Sequence, residues 1–573
     1  MKVKMRLKLM IVVMVIGGIT WSCEEQDLIP DTKSPNELDL QGITKLGQKL
    51  ENPYSVSNMQ KAWDNLQSSN GRISSGNKKV KTTHYYVKFI PKNEEELNIL
   101  DRDSTLILYD HPLDYEIIEQ GDFYRELGLP YDQPTPLYCA VTVDYEFPGQ
   151  VETEILEDLF IPDDKSDKNG RTSNSGISDA DVDILVYEAL KITNNLTNYD
   201  NNKEVNSGRA SSWRPAGTIK VWDDNIGMTT VSRQEFWYWE YYECDENDPQ
   251  IINRISLEPL CKRAVYRTVY DEIDGSSVGL GGVEVRARRW FTTYEGITNS
   301  QGVYSCDGTF KRDANYSIVW ERYNFKIRRD ALNGAKLDGP DKTGDWNVNI
   351  KGGKQEFYSI IFRAAYHYYY GSIKGLRRPP KNGTFKTQLK IRAVYEENND
   401  SYGNHSSGRR FLGLGSAIKI WNPQRSSLGL YATTIHELAH ASHWEMDQSN
   451  YNKMNDCDDT FIGLYCSGDT KVAESWARGV QWELTIMRYT SYLGGDTNRP
   501  DYTQVVVDMI DGSTDNNAGS ENLLQDNVSG YTIRQIEDAL NGQKTWNGWR
   551  NNIINRYNNG TENNLDELFA HWD

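Results

Sequence analysis

Apolar and polar positions change period several times along the chain, and each change marks a unit. Residues 84–90 and 105–109 alternate with the period of two of half-buried strands. Residues 94–100 between them carry helical spacing, and residues 138–147 give a further strand. A small α+β unit is therefore expected over residues 79–162, serving as a spacer, a docking module or a pro-domain. After a polar stretch, Val182, Leu185, Val186, Leu190 and Ile192 form one apolar stripe of a helix over 179–196. Residues 163–213 thus read as linker and helix. Between 214 and 330 the period returns to two with recurrent turn residues, as in 218–222, 282–287 and 316–320, which predicts a β-sandwich. From 331 to 573 the pattern is mixed. A helix is expected at 354–370, strands at 389–395 and 416–421, then a run of helices reaching the end of the sequence. The fold class expected is multidomain α+β.

The first residues change the picture of where the chain works. Lys2, Lys4, Arg6 and Lys8 precede an apolar run over 9–19 that is too short to span a bilayer, and residues 1–22 read as a signal peptide. The run ends at Cys23 in a sequence that resembles a loose lipobox. The acidic residues Glu24, Glu25 and Asp27 resemble the surface-export signal of Bacteroidetes lipoproteins. The resemblance implies an outer-membrane lipoprotein, lipidated at Cys23 and exposed on the cell surface, with that anchor as its membrane contact. Residues 23–78, rich in Ser, Asn, Gly and Lys with helical spacing at 54–66, are expected to form a polar stalk. The net charge of −19, without a basic aromatic groove, argues against a nucleic-acid partner. Setting Cys23 aside leaves six of the seven cysteines in a disulfide-permitting compartment. Cys457 with Cys466 and Cys244 with Cys261 are the expected pairs, and Cys139 and Cys306 remain.

Within the last unit, His436, Glu437 and His440 form the pattern H-E-x-x-H in a helix that Ser426 or Ser427 would cap. Positions i and i+4 lie one above the other, so both imidazoles can hold one metal ion, with Glu437 beside a water on it. Three positions compete for the third ligand. His443 lies on the same face, but seven residues of helix rise about 10.5 Å, too far for one ion on a straight helix. The metzincin pattern needs a histidine where this chain has Met446. Glu474 opens a second helical run and would bring a carboxylate from another helix.

The quartet His436, Glu437, His440 and Glu474 resembles the gluzincin branch of the zincin metallopeptidases. The resemblance implies Zn²⁺ held by His436, His440 and Glu474, with Glu437 as general base, acting on protein or peptide substrates. It also implies a downstream Tyr or His that stabilises the transition state, for which Tyr489 and Tyr492 are the candidates. Arg478 departs from the thermolysin type, which has an Asp there to orient the first histidine. The strand at 416–421 is expected to line the cleft and pair with an extended substrate. Residues 280–287 and 298–304 resemble the carboxypeptidase regulatory-like β-sandwich. The rival reading is a catalytically inactive zincin-fold surface protein that binds protein or glycan.

Overall fold

The computed structural model describes residues 42–68, 80–130, 133–162, 179–196, 212–243, 260–383, 387–396, 402–406, 416–455, 469–492, 494, 501–511 and 527–573. The signal peptide, Cys23, Cys244, Cys457 and Cys466 lie outside these residues. Cys261 falls on a described strand whose side chain there is not described. The protein is mixed α+β with several sheets.

The N-terminal part holds β1 (Lys45–Lys49), α1 (Val56–Ser68), β2 (His84–Ile90), α2 (Glu94–Arg102), β3 (Tyr115–Glu119), β4 (Leu137–Thr142), β5 (Glu152–Leu159) and α3 (Asp179–Ile192). Strands β4, β2 and β5 form one antiparallel sheet, and β1 pairs with β3. Two expectations change here. Residues 42–68 are no stalk: Met59, Trp63 and Leu66 of α1 are buried against Leu185 and Ala189 of α3. Each such burial stabilises by about 1.5–3 kcal/mol, which a solvated stalk would forgo. Residues 105–109 form no strand; only Tyr109 makes an isolated bridge, to Tyr138. The second antiparallel pair is instead supplied by Tyr115–Glu119.

The middle part holds β6 (Ala216–Glu243), β7 (Leu260–Gly279), β8 (Glu284–Arg289), β9 (Thr292–Ile297), β10 (Val303–Ser305), β11 (Ala314–Val319), β12 (Glu321–Arg322), β13 (Phe325–Arg328), β14 (Lys336–Lys342) and β15 (Val348–Ile350). One sheet runs β10-β6-β15 with β7 on β6, and the other runs β14-β11-β8-β9. Val221, Leu280, Val285, Tyr304 and Tyr316, drawn from both sheets and their connections, share one buried core. The boundary expected at residue 330 does not hold. Strands β14 and β15 belong to these sheets, whereas β12 and β13 leave for the next one. Strands β6 and β7 pair antiparallel, with Cys261 opposite Tyr242. Cys139 and Cys306 are both buried free thiols. Burial pushes the Cys306 thiol up to about 12, so it packs as a small apolar group.

The C-terminal part holds α4 (Gly353–Tyr370), β16 (Leu389–Ala393), β17 (Gly403–His405), β18 (Ile418–Ile420), α5 (Ser427–Met446), α6 (Gln448–Asn455), α7 (Thr470–Thr485), α8 (Val505–Ile510), α9 (Ile533–Leu540), α10 (Trp546–Arg556) and α11 (Leu565–His571). Its sheet runs β12-β13-β16-β18-β17, with β13, β16 and β18 parallel and β17 antiparallel at the edge. The strand expected to line the cleft, β18, is therefore interior. The edge belongs to β17, which falls inside the glycine- and serine-rich stretch 399–415. Among the described residues no helix is long and apolar enough to cross a membrane.

Candidate metal centre

Two helices carry the site, and local sequence fixes both. Ser426 caps α5, its side chain accepting from Gly429 N at 3.2 Å. Asp224 and Asn225 of β6 accept from the next two backbone amides, of Ser427 and Leu428, at 2.8 and 3.0 Å. Ile435, Leu438, Ala439 and Ala441 are fully buried and lock the rotation of α5. Asp469 caps α7 by accepting from Lys471 N at 3.1 Å, and Val472, Ala473, Trp476 and Ala477 are buried.

These helices bring three ligand atoms to a point. His436 Nε2 lies 3.1 Å from His440 Nε2 and 3.1 Å from Glu474 Oε2, and His440 Nε2 lies 3.3 Å from that oxygen. Donors about 2.0–2.1 Å from a tetrahedral ion are about 3.3 Å apart, so the triangle fits zinc with a fourth position open. Burial alone would raise the Glu474 carboxyl. The two histidines, by charge and hydrogen bonding, hold it well below the usual carboxylate range. Among the described residues, His436, His440 and Glu474 are the one group of three or more His, Cys, Asp or Glu residues placed to hold a metal.

His436 is oriented by a residue that sequence reading did not single out. Its Nδ1 lies 3.0 Å from Gln481 Oε1, and Gln481 Nε2 donates to the Tyr492 hydroxyl at 2.6 Å. An amide oxygen only accepts, so the proton sits on Nδ1 and the Nε2 lone pair faces the triangle. Gln481 is seven residues after Glu474, two turns along the same face of α7, and that spacing was readable. Tyr502 stacks on His436 with ring centroids 5.7 Å apart and planes 8° apart; no spacing rule points to it.

Glu437 is buried beside the triangle, and burial pushes its carboxyl up to about 8. Edge strand β17 crosses over it so closely that a Cβ built on Gly403 would stand 2.5 Å from Glu437 Oε1. On the same strand, His405 stacks on His440 at 6.4 Å and lies 3.1 Å through Nδ1 from the Tyr451 hydroxyl.

The two tyrosines proposed as transition-state stabilisers are placed elsewhere. Tyr489 donates to Asp223 Oδ2 at 2.8 Å, and that carboxylate also pairs with Arg363. The Tyr492 hydroxyl is held by Gln481, so its contribution runs through His436. His443 is not one of the three converging ligands: burial, with the charge of His440 adding to it, pushes its imidazole down to about 3. It packs edge-on to Tyr451 at 5.1 Å. His367 also packs, its ring nitrogens meeting the Tyr431 hydroxyl and the Ser372 carbonyl.

Compared with protein-family models, curated proteins and solved structures, the chain matches none.

Proposed function

We propose that the chain is a zinc-dependent metallopeptidase of the gluzincin type that hydrolyses protein or peptide substrates at a bacterial cell surface. The C-terminal part would be its zincin-like catalytic domain, and the two-sheet part its carboxypeptidase regulatory-like module. The observation that carries the reading is the triangle of His436, His440 and Glu474 with the Glu437 carboxyl buried next to it. A zinc bound there supplies a Lewis acid and lowers the pKa of its water. His436 and His440 offer neutral Nε2 lone pairs, and Glu474 offers one carboxylate oxygen. Glu437 takes a proton from the attacking water and returns it to the leaving nitrogen. An extended substrate adds to the outer edge of β17, whose backbone passes over Glu437, so main-chain pairing sets the scissile bond beside the base. Tyr502, whose ring stacks on His436, takes the place of Tyr489 and Tyr492 in this reading as the tyrosine to stabilise the transition state.

The test separates base from ligands. Glu437→Gln is expected to keep about one zinc per chain and lose about 10²–10⁴ in hydrolysis of a peptide library. Glu474→Ala is expected to lose zinc as well, and His443→Ala to keep it. A His443→Ala protein without zinc beside a zinc-replete Glu474→Ala would overturn the ligand set. A zinc-replete wild type that cleaves no peptide would favour the rival binding protein.

A further inference from the structure

We infer, resting on the peptidase reading, that Arg425 sets the substrate preference of the metal centre by gripping a carboxylate of the peptide close to the scissile bond.

Arg425 stands just before the Ser426 cap and turns back onto α5. Its Nη1 donates to Thr433 Oγ1. A Cβ built on Gly429 would stand 3.1 Å from Arg425 Nε and 3.4 Å from Cζ and Nη2, so the guanidinium lies over a position that has no side chain. Gly429, Thr433 and Glu437 follow at intervals of four and share one stripe of α5. Four residues of helix rise about 6 Å, and an extended peptide advances about 3.3 Å per residue. A group held at the guanidinium is therefore about two or three substrate residues from the bond beside Glu437. The edge strand leads to the same cation. Tyr402, one residue before Gly403 of β17, has its ring centroid 4.2 Å from Arg425 Cζ.

This cation has no counter-charge of its own. Among the described residues no carboxylate pairs with it, and the two at the start of α5 are engaged elsewhere. Asp224 accepts from the Ser427 amide at 2.8 Å, and Asp223 accepts from Arg363 and Tyr489. Burial pulls the half-buried guanidinium down from its ordinary range, opposed only by the Tyr402 and Tyr492 hydroxyls. Removing a cation from water costs free energy that a paired anion offsets.

The open atoms fit one kind of anion. Nε and Nη2 of Arg425 donate to no described residue, yet they are not sealed away as the same two nitrogens of Arg328 are. Their N–H groups form one edge of the planar fork and match the two oxygens of a single carboxylate. An unmodified peptide carries anions only as carboxylates, on Asp or Glu side chains or at its C-terminal end.

The test uses the zinc-loaded full chain and two matched pairs of peptides. One pair has an amidated end and carries Glu or Gln near the cleaved bond. The other has no acidic side chain and ends in a free acid or an amide. In at least one pair the acid member is expected to exceed its partner about tenfold or more in kcat/KM, chiefly through KM. The responding pair tells a side-chain carboxylate from a terminal one. In Arg425→Gln that ratio should fall to about one. Arg425→Lys, which keeps the charge and loses the fork, should recover part of it, and it carries the comparison if Arg425→Gln does not fold. An arginine that only braced Tyr402 and β17 would lower both members alike and leave the ratio standing. Binding is read without turnover, by calorimetric titration of the same peptides into Glu437→Gln, where the acid member should again bind about tenfold more tightly. Members bound alike, or not bound at all, in both pairs, or a preference that survives Arg425→Gln, would overturn the inference. Arg425-dependent binding beside a wild type that cleaves nothing would overturn the peptidase reading and leave the carboxylate site in place.

Discussion

Because His436 Nδ1 meets an amide oxygen rather than a carboxylate, its tautomer is fixed by a neutral acceptor. Gln481→Leu removes that acceptor and is expected to weaken zinc binding about 10–100-fold in a chelator competition, whereas Gln481→Glu should retain it. Gly403 sets the opposite kind of limit. Its backbone is ordinary, so alanine is conformationally acceptable there, but the new methyl would stand 2.5 Å from Glu437 Oε1. Gly403→Ala is expected to leave zinc content unchanged and cut peptide hydrolysis by about 10², the scale of an ångström of misplacement at a reacting group. Unaltered turnover would mean that β17 can retreat. The contrast explains what the sequence could reveal. His436, Glu437 and His440 share one helix, so their spacing alone brings them together. Glu474 needed one helix–helix packing, and Gly403 needed the register of an edge strand, which no local pattern encodes.

Elements were legible where one stripe or one alternation decides their burial. The helices α4, α5 and α7 carry long apolar stripes and lie close to where those stripes place them. The misreadings sit where tertiary partners override a short pattern. Leu106 and Leu108 alternate as in a strand, yet they face a cavity and leave Tyr109 to make one bridge. The α1 stripe is embedded in polar sequence, and only its contact with α3, far along the chain, shows that it is core. Residues 325–328 follow the two-sheet part in sequence without a break, so nothing local shows that β13 changes sheet. The start of α5 lies between these cases: Ser426 was a readable cap, but Asp224 and Asn225 reach it from β6. Ser426→Ala is expected to cost about 0.5–2 kcal/mol in denaturant unfolding. A loss near zero would show that the β6 residues alone suffice to hold that end.

At the scale of the whole molecule, two carboxylates of α2 tie the N-terminal part to the C-terminal sheet, Asp101 through Lys326 of β13 at 3.2 Å and Glu94 through two cations. Glu94 at the start of α2 lies 2.7 Å from both Arg328 of β13 and Lys390 of β16, whose side chains are 0% and 3% exposed. A detachable pro-domain would leave two buried cations without their partner, so excision of residues 79–162 is expected to give insoluble protein rather than an activated enzyme. Lys390 provides a test with a definite sign. Burial, reinforced by the charge of Arg328, outweighs Glu94 and Asp101 and lowers its ammonium from the ordinary 10.5 to about 8. Above both values the lysine is neutral in folded and unfolded chains alike and costs nothing. As pH falls from 10.5 towards 8 the unfolded chain takes up the proton and the folded chain does not, so stability drops; below 8 the penalty is constant. The full window amounts to about 3 kcal/mol. Lys390→Met removes this titration and leaves every other group in place. Wild type is therefore expected to gain about 3 kcal/mol on the variant between pH 8 and 10.5, read as the difference of their urea unfolding curves. A difference that stays flat across that window would mean that Glu94 holds Lys390 charged and that the contact between the two parts is a plain ion pair.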